Sequence, residues 1–174
     1  FFPRLISKIK SKFTNKYHFY QGEQYFKDIT NTVRQEFTLK DPLSRQSQSW
    51  IHKIESLPAS ISVHIRRGDY VKNLETNAYH GVCGVDYYQK SSELVENSVG
   101  TGDIEYFVFS DDILWAKENI SFKHPTHFVS KTSIPDYEEL IIMSTCKHHI
   151  IANSTFSWWA AWLNVNPHKI VIAP

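Results

Sequence analysis

The chain has 174 residues, 41% of them hydrophobic, and a formal net charge of +1. This length suits one domain with a substantial core. Basic and acidic residues nearly balance, 19 against 18, so no charged face suits a nucleic-acid backbone and we expect no nucleic-acid partner. Two cysteines, Cys83 and Cys146, are too few for a disulfide scaffold, and we expect both to be free in a reducing compartment.

The ends of the sequence indicate a fragment. The first residues contain neither an initiator methionine nor a signal-peptide pattern, and residues 169–174 have the pattern of a buried strand with no helix after it. We therefore expect truncation at both ends, which leaves open an anchor outside the chain. The lack of signal and disulfide patterns favours a bacterial cytoplasmic location, with peripheral contact at the inner membrane face.

The first third of the sequence has helical patterns. Residues 1–20 are basic and aromatic but lack a clean apolar face, which favours a solvated connection over a membrane-surface helix. Apolar residues recur at three- and four-residue intervals from Glu23 to Phe37, which predicts an amphipathic helix, and a second helix is predicted from Leu43 to Ser56. We assign residues 1–58 to a leading helical segment.

After residue 58, short apolar runs alternate with helical patterns. Strands are predicted at Ile61–Ile65, Ile104–Phe109, His127–Ser130, His149–Ala152 and Lys169–Ala173. Helices are predicted at Asp86–Asn97, Asp112–Asn119, Asp136–Cys146 and Ser154–Asn164. The alternation predicts an α/β fold, a Rossmann-like parallel sheet with helices on both faces. Ligands bind beyond the carboxyl ends of such strands, so the residues that follow each run are the site candidates.

The first predicted strand leads into two arginines, Arg66 and Arg67, followed by Gly68 and Asp69. An arginine fork matches phosphate oxygens two at a time, and glycine allows close backbone approach. The pattern predicts a phosphate site in which Asp69 orients an arginine. A structural Arg–Asp pair at the strand end is the alternative.

The second predicted strand ends before Asp111 and Asp112. One of them, or Ser110, caps the following helix in the simplest interpretation. Adjacent carboxylates also suit a metal that bridges a diphosphate, but no cluster at ligand spacing supports one, since His148 and His149 would alternate faces of a strand. We expect no metal.

A polar turn lies between the predicted strand His149–Ala152 and the last helix. It contains Asn153, Ser154, Thr155 and Ser157 and is followed by Trp158. Hydroxyl groups and free N–H groups at a helix amino terminus favour phosphate binding. Helix capping alone is the alternative, and at least one of the nearby tryptophans is expected in the core.

Four motifs in order resemble the galactoside α-1,2-fucosyltransferase family over residues 21–174. They are His64-x-Arg66-Arg67-Gly68-Asp69-Tyr70, His80–Tyr88, Phe109–Asp112 and Asn153–Trp159. The first is shared with GDP-fucose enzymes that make α-1,6 and O-linked products, and the paired tryptophans narrow the choice. The resemblance implies the donor-binding half of a GT-B glycosyltransferase, with residues 59–174 as a GDP-fucose-binding domain truncated at its carboxyl end. It also implies that the helical segment 1–58 links from an acceptor domain outside the chain.

The resemblance also implies roles for residues. Arg66 would contact the donor diphosphate, with His64 near the nucleotide and Ser157 and Trp158 at the phosphates. Glu139 stands where such enzymes usually direct an Asp at guanine. We assign catalytic roles to Arg66 and Asp69. The expected donor-binding residues are His64, Arg66, Arg67, Asp111, Asp112, Glu139, Asn153, Ser154, Thr155, Ser157 and Trp158.

The implied reaction transfers L-fucose from GDP-β-L-fucose to O2 of a terminal galactose in a glycan, with inversion and without metal. We find no persuasive base in the chain and expect it in the missing half. The alternatives are a fucosyltransferase of another linkage, a non-catalytic nucleotide- or phosphate-binding domain, and a carbohydrate-binding module that uses the tryptophans.

Overall fold

The computed structural model describes residues 22–73, 78, 81–100 and 102–174. The predicted solvated connection at residues 1–20, and His80 of the second motif, lie outside this part of the chain. The chain divides into two compact units, Phe1–Pro42 and Leu43–Pro174. The predicted helix Leu43–Ser56 therefore belongs to the second unit, together with the predicted domain 59–174.

The described part of the first unit holds two 3₁₀ turns, Glu23–Tyr25 and Lys27–Ile29, and helix α1, Thr30–Glu36. We predicted one helix from Glu23 to Phe37, and only its second half is α-helical. The backbone leaves the helical region at Phe26 (φ −138°) and at Ile29 (φ −125°), which interrupts the helix. Apolar periodicity marks the buried face but does not detect such breaks.

The second unit alternates strands and helices. Its elements are α2 (Arg45–Ser56), β1 (Ala59–Ile65), α3 (Gly68–Lys72), α4 (Val85–Val99), β2 (Ile104–Ser110), α5 (Ile113–Asn119), β3 (Thr126–Phe128), α6 (Asp136–Thr145), β4 (His148–Ile150), α7 (Thr155–Leu163) and β5 (Val171–Ile172). The strands form one sheet in the order β3-β2-β1-β4-β5, and every pairing is parallel. No helix of the described residues is long and apolar enough to cross a membrane.

Helices cover both faces of the sheet. On one face, Ile61 and Val63 of β1 pack with Tyr88 and Val95 of α4. On the other, Phe107 and Phe109 of β2 pack with residues of α2, α6 and α7: Ile54, Ile142, Met143 and Ala160. Alternate side chains of a strand point to opposite faces, so both faces of β2 are buried. The predicted fold class is confirmed.

Two elements differ from the predictions. We predicted a buried strand at Lys169–Ala173, but β5 has two residues, lies at the edge of the sheet and leaves Val171 39% exposed. The helical turn α3 begins at Gly68, with two residues between it and the end of β1, where we predicted only the end of a strand. Neighbouring elements decide whether a strand lies at the edge of a sheet, and a five-residue helix is too short to show a helical periodicity in the sequence.

A buried polar network joins β1, β4 and the end of α7. The His149 ring lies 2.7 Å from Ser62 Oγ through Nδ1 and 2.7 Å from Asn164 Nδ2 through Nε2. Burial lowers the pKa of His149 to about 3, with Lys169 and His148 acting in the same direction. The imidazole is therefore neutral at physiological pH. All three side chains are buried, and their hydrogen bonds offset the cost of placing polar groups in the core.

A buried carboxylate fastens α2 to α6. Glu138 of α6 is 5% exposed. Its Oε1 accepts the Ser44 N–H at 3.0 Å, and its Oε2 accepts the hydroxyl of Ser44 at 2.6 Å and that of Ser47. Burial by itself raises the pKa of Glu138, but the hydrogen bonds from Ser44 and Ser47 outweigh it and hold the pKa below its usual range.

We expect Glu138→Gln to lower the free energy of unfolding by about 2 kcal/mol at pH 7, because an amide cannot accept all three hydrogen bonds and leaves a buried polar group poorly paired. Urea denaturation followed by circular dichroism measures this. Glu118→Gln, at an exposed position of α5, is the control. A depressed carboxyl pKa contributes stability above its usual range and loses it as the pH falls, so the difference should shrink in acid. Equal stability of the two variants would contradict the role of Glu138.

Candidate functional site

A cleft of about 490 Å³ lies at the carboxyl edge of the sheet. Its floor holds His64, Arg66 and Asp111 from the ends of β1 and β2, and its walls come from the segment 130–139 and from Phe156 of α7. The chain runs outward from β1 to β2 and β3 on one side and to β4 and β5 on the other. The cleft thus borders the point where strand order reverses, where ligands of open α/β sheets bind.

Arg66 lies in the cleft between two carboxylates. Its guanidinium is 2.7 Å from Asp69 Oδ1 and 3.0 Å from Asp111 Oδ2, and its side chain is 35% exposed. The Tyr70 ring centroid lies 5.4 Å from its Cζ. A guanidinium carries five N–H donors, and these ion pairs orient it while part of it faces solvent. Arg66 is therefore positioned to bind an anion that enters the cleft.

Arg67 turns away from the cleft. Its Cζ lies 3.6 Å from the Trp115 ring centroid, its Nε is 3.4 Å from Asp112 Oδ2, and the side chain is 17% exposed. Stacking on an indole and pairing with a carboxylate fix the side chain against α5. The structure separates the two adjacent arginines, and Arg67 is not among the residues that line the cleft.

The two aspartates after β2 also differ. Asp112 is the N-cap of α5, where its Oδ1 accepts the Trp115 N–H at 3.3 Å, as the capping alternative expects. Asp111 lines the cleft and accepts the Arg67 N–H at 2.9 Å. Among the described residues, no group of three His, Cys, Asp or Glu side chains converges as a metal site would require.

His64 is a buried base at the floor of the cleft. Burial is the main cause that lowers its pKa to about 4, with Asp111 opposing the shift and Arg66 adding to it. Its ring centroid lies 5.5 Å from that of Phe156. Its Nδ1 is buried and has no hydrogen-bond partner within the described chain. The ring is neutral at pH 7 and acts there as an uncharged polar group.

Glu139 lies in the wall of the cleft on α6. Its Oε2 accepts the hydroxyl of Ser130 at 2.8 Å. Burial raises the pKa of Glu139 to about 7, Asp136 adds to the rise, and the Ser130 hydrogen bond opposes it. A carboxyl group with this pKa exists in both protonation states near neutral pH. It can therefore accept hydrogen bonds from a ligand that stabilises its charged form.

Among residues 153–158, around the start of α7, only Phe156 lines the cleft. Ser154 is the N-cap of α7, and the buried Ser157 hydroxyl donates to Ser154 O at 3.3 Å. Asn153 and Thr155 are exposed, and Asn153 lines a separate cavity of about 410 Å³. Trp158 packs edge-on against Trp159, with ring centroids 5.0 Å apart. Capping accounts for the Ser154 hydroxyl, and a phosphate role for the turn stays a prediction.

The segment between β3 and α6 supplies a wall of the cleft that the sequence did not predict. Its cleft-lining residues are Ser130, Lys131, Thr132, Ile134 and Pro135, and Asp136, the first residue of α6, lines the cleft beside them. Ser130 ends a predicted strand and the other residues follow it, so the rule about carboxyl ends pointed to this segment. Its side chains form no recognised motif.

The family assignment follows from comparison with known proteins. The model of Glycosyl transferase family 11 matches residues 5–174, nearly the whole chain. The chain belongs to this family. The resemblance to α-1,2-fucosyltransferases given by the four motifs is thereby confirmed.

Relatives of this family 11 chain include bacterial and mammalian glycosyltransferases. The O-antigen biosynthesis glycosyltransferase WbnK of Escherichia coli is 46% identical over 65% of the chain and 37% of the relative. An alpha-1,2-colitosyltransferase of Escherichia coli is 38% identical over 90% of the chain and 53% of the relative. Galactoside alpha-(1,2)-fucosyltransferase 1 of Rattus norvegicus is 30% identical over 80% and 39%. The chain thus spans about half or less of the length of these relatives.

Solved structures of POFUT1 share the fold of this family 11 chain. The complex with GDP matches with a TM-score of 0.51 and 18% identity, over 75% of the chain and 46% of POFUT1. The complex with GDP-fucose gives a TM-score of 0.50 and 17% identity. Identity this low supports a common architecture and carries no residue roles.

We expect Glu139→Gln to stabilise the unliganded chain in alkaline solution. A carboxyl whose pKa rises on folding contributes stability below its usual range near 4.5 and loses it as the pH passes 7. The variant should match wild type at pH 4 and exceed it at pH 8 by about 1 kcal/mol, after allowance for solvent screening of the partly exposed carboxylate. Thermal unfolding across pH measures this, with the exposed Glu93→Gln as the control. A pH-independent difference would contradict it.

Proposed function

We propose that the chain is the donor-binding half of an inverting glycosyltransferase that moves L-fucose from GDP-β-L-fucose to O2 of a terminal galactose. The observation that carries the proposal is the cleft at the carboxyl edge of the sheet, with the ion-paired Arg66 on its floor and Glu139 in its wall. Its volume, about 490 Å³, lies in the range usual for small-molecule sites. The family and the fold shared with POFUT1 support the same assignment.

Arg66 would bind the diphosphate. The bond from fucose C1 to the diphosphate oxygen breaks with its electron pair on the leaving group, so negative charge grows on the GDP phosphates. A pre-oriented guanidinium stabilises that charge through charge-assisted hydrogen bonds. Asp69 and Asp111 hold the group in place before substrate arrives, which lowers the ordering cost at the moment of reaction.

Glu139 would bind the guanine base. Guanine presents adjacent N–H donors on its Watson–Crick edge, and an ionised carboxylate accepts both. UDP and ADP lack this pair of donors. Because burial raises the pKa of Glu139 to about 7, guanine binding would favour the ionised form and release a proton near neutral pH. The longer side chain replaces the Asp that the resemblance implies while keeping its charge.

The acceptor hydroxyl would attack C1 from the face opposite GDP, which converts the β-linked donor into an α-linked product. This step calls for a base near the hydroxyl. His64 is a weak base, since its pKa is about 4, and Asp69 is paired with Arg66. We assign the base and the galactose site to the acceptor-binding half of the protein.

We also propose that the reaction needs no divalent metal. The positive charge for the leaving group comes from Arg66, and the adjacent Asp111 and Asp112 are engaged by Arg66 and Arg67. A chelator should leave donor binding unchanged. Loss of GDP binding in chelator would refute this part of the proposal.

GDP-colitose is the second candidate donor. The alpha-1,2-colitosyltransferase matches 90% of the chain at 38% identity, higher than the identity to the rat galactoside fucosyltransferase. Colitose is fucose without its 3-hydroxyl group, so both donors present the same GDP and the same anomeric centre. The proposed roles of Arg66 and Glu139 apply to either sugar.

Three competing functions can be distinguished from the proposal: one by the exposure of the tryptophan rings, one by turnover and one by the linkage of the product. A carbohydrate-binding module would present open tryptophan rings, but Trp158 and Trp159 pack on each other and Trp162 is 8% exposed. A non-catalytic nucleotide-binding domain would share the cleft and bind GDP without turnover. A fucosyltransferase of another linkage would share the donor site and differ in its product.

We expect the chain to bind GDP selectively over UDP and ADP in isothermal titration with chelator present. Arg66→Ala should weaken GDP binding roughly 10- to 100-fold, because charge-assisted hydrogen bonds contribute about 1.5–3 kcal/mol. Lys117→Ala removes an exposed cation on α5 and serves as the charge-matched control. Equal binding of the three nucleotides, or unchanged GDP binding by the folded Arg66→Ala variant, would contradict the proposed donor site.

The linkage is tested by turnover of the whole protein. With a β-galactoside acceptor, GDP-fucose should give an α-1,2-linked product, identified by nuclear magnetic resonance. GDP-colitose is assayed in parallel, and the ratio of kcat/KM values identifies the preferred sugar. An α-1,6 or O-linked product would reject the α-1,2 assignment while leaving the donor site intact, and GDP binding without turnover would favour the non-catalytic domain.

A further inference from the structure

Asp111 joins the ends of two neighbouring strands. Ile65 of β1 pairs with Ser110 of β2, so Asp111 follows β2 beside the segment that follows β1. Its Oδ1 accepts the Arg67 N–H at 2.9 Å, and its Oδ2 lies 3.0 Å from the Arg66 guanidinium. One carboxylate therefore holds both the backbone of the turn and the side chain that faces the cleft.

Gly68 leaves the room that this carboxylate occupies. A Cβ on Gly68 would lie 2.4 Å from Asp111 Oδ2, closer than Cβ atoms approach other heavy atoms in proteins, and 3.2 Å from Asp111 Cγ. The φ angle does not require glycine here, because the glycines with positive φ in the described chain are Gly81 and Gly100. The glycine of the Arg66–Asp69 motif is thus explained by a carboxylate from another strand.

The two carboxylates around Arg66 are not equivalent. Asp69 lies three residues away on the same turn and its side chain is 57% exposed, whereas the Asp111 side chain is 25% exposed. Solvent screens an exposed ion pair strongly. Asp111 is the better buried anchor, and it also fixes the backbone next to Arg66 through the Arg67 N–H.

We propose that Asp111 is a positioning residue that acts on the donor through Arg66, and that Gly68, which has no Cβ, leaves the space that Asp111 occupies. The inference rests on the proposed role of Arg66 in diphosphate binding. Asp111 is anionic and would repel a diphosphate by itself, so its contribution to binding is the orientation of the guanidinium. The proposal is an alternative to the direct donor contact that the sequence predicted for Asp111.

The effect of Asp111→Asn on GDP affinity, measured with and without Arg66, distinguishes a positioning role from direct contact with the donor. In the wild-type background, Asp111→Asn keeps an oxygen for the Arg67 N–H but loses the charge that orients Arg66, and GDP binding should weaken roughly tenfold. In an Arg66→Ala background, the same substitution removes only a repulsive charge. GDP binding should then stay equal or improve.

These variants are compared by GDP titration up to millimolar nucleotide, with circular dichroism to verify folding. Asp111→Asn binding within twofold of wild type would overturn the proposal. A loss of equal size in the Arg66→Ala background would also overturn it, since Asp111 would then act without Arg66. If the wild-type chain binds no GDP, the proposed function itself fails, and the phosphate-positioning role of Asp111 falls with it.

A second measurement needs no ligand. Gly68→Ala should lower the thermal midpoint in the wild-type background, because the added Cβ meets Asp111. The same substitution should cost little in an Asp111→Ala background, where that contact is gone. Equal losses in the two backgrounds would show that Gly68 does not serve Asp111 and would overturn this part of the inference. The thermal-stability cycle therefore tests whether Gly68 makes room for Asp111, independently of whether the cleft binds GDP.

Discussion

The site depends on parallel pairing at β1. This strand is buried along its full length and pairs with β2 on one side and β4 on the other. Parallel strands end at the same edge, so the residues after β1 and β2 meet there although they are distant in the sequence. Arg66 and Asp111 are the pair that results, and their ion pair gives the cleft a cationic group in a fixed position.

Adjacent residues acquire opposite properties because the elements around them differ. Glu138 is buried against α2 and accepts three hydrogen bonds, which lower its pKa despite the cost of burial. Glu139 faces the cleft with one hydroxyl donor from Ser130, and burial raises its pKa to about 7. One carboxylate therefore serves stability and the next remains able to respond to a ligand, and the difference arises from the number of donors that each one meets.

The two adjacent arginines differ in the same way as the two glutamates: one is held within the fold and the other faces the cleft. Arg67 is fixed by Trp115 and Asp112 and holds α5 to the turn after β1, whereas Arg66 faces the cleft. A glycosyltransferase that relies on arginine to stabilise its leaving group needs one guanidinium in a fixed orientation. The neighbouring ion pair of Arg67 and Asp112 supports the turn that carries Arg66. The bonds around the two arginines thus connect fold stability to the proposed chemistry.

Much of the fold could be predicted from local patterns. Apolar runs marked β1 and β2, helical periodicity marked α4, α6 and α7, and their alternation indicated a parallel sheet, because side-chain periodicity is a local property of the chain. The four motifs identified the family for the same reason. The strand order, the two-residue length of β5 and the break before α1 depend on which surfaces pack together, which local pattern does not encode.

The candidate site divides in the same way. Local sequence pattern placed Arg66 and Asp111 at a carboxyl edge, since each follows a predicted strand, and the family resemblance added His64 and Glu139 to the donor site. It did not separate Arg66 from Arg67, reveal that Gly68 makes room for Asp111, or show that Phe156 rather than Ser157 meets the cleft. These outcomes depend on the directions in which neighbouring side chains point and on contacts between distant segments, and both are set when the strands pair and the helices pack.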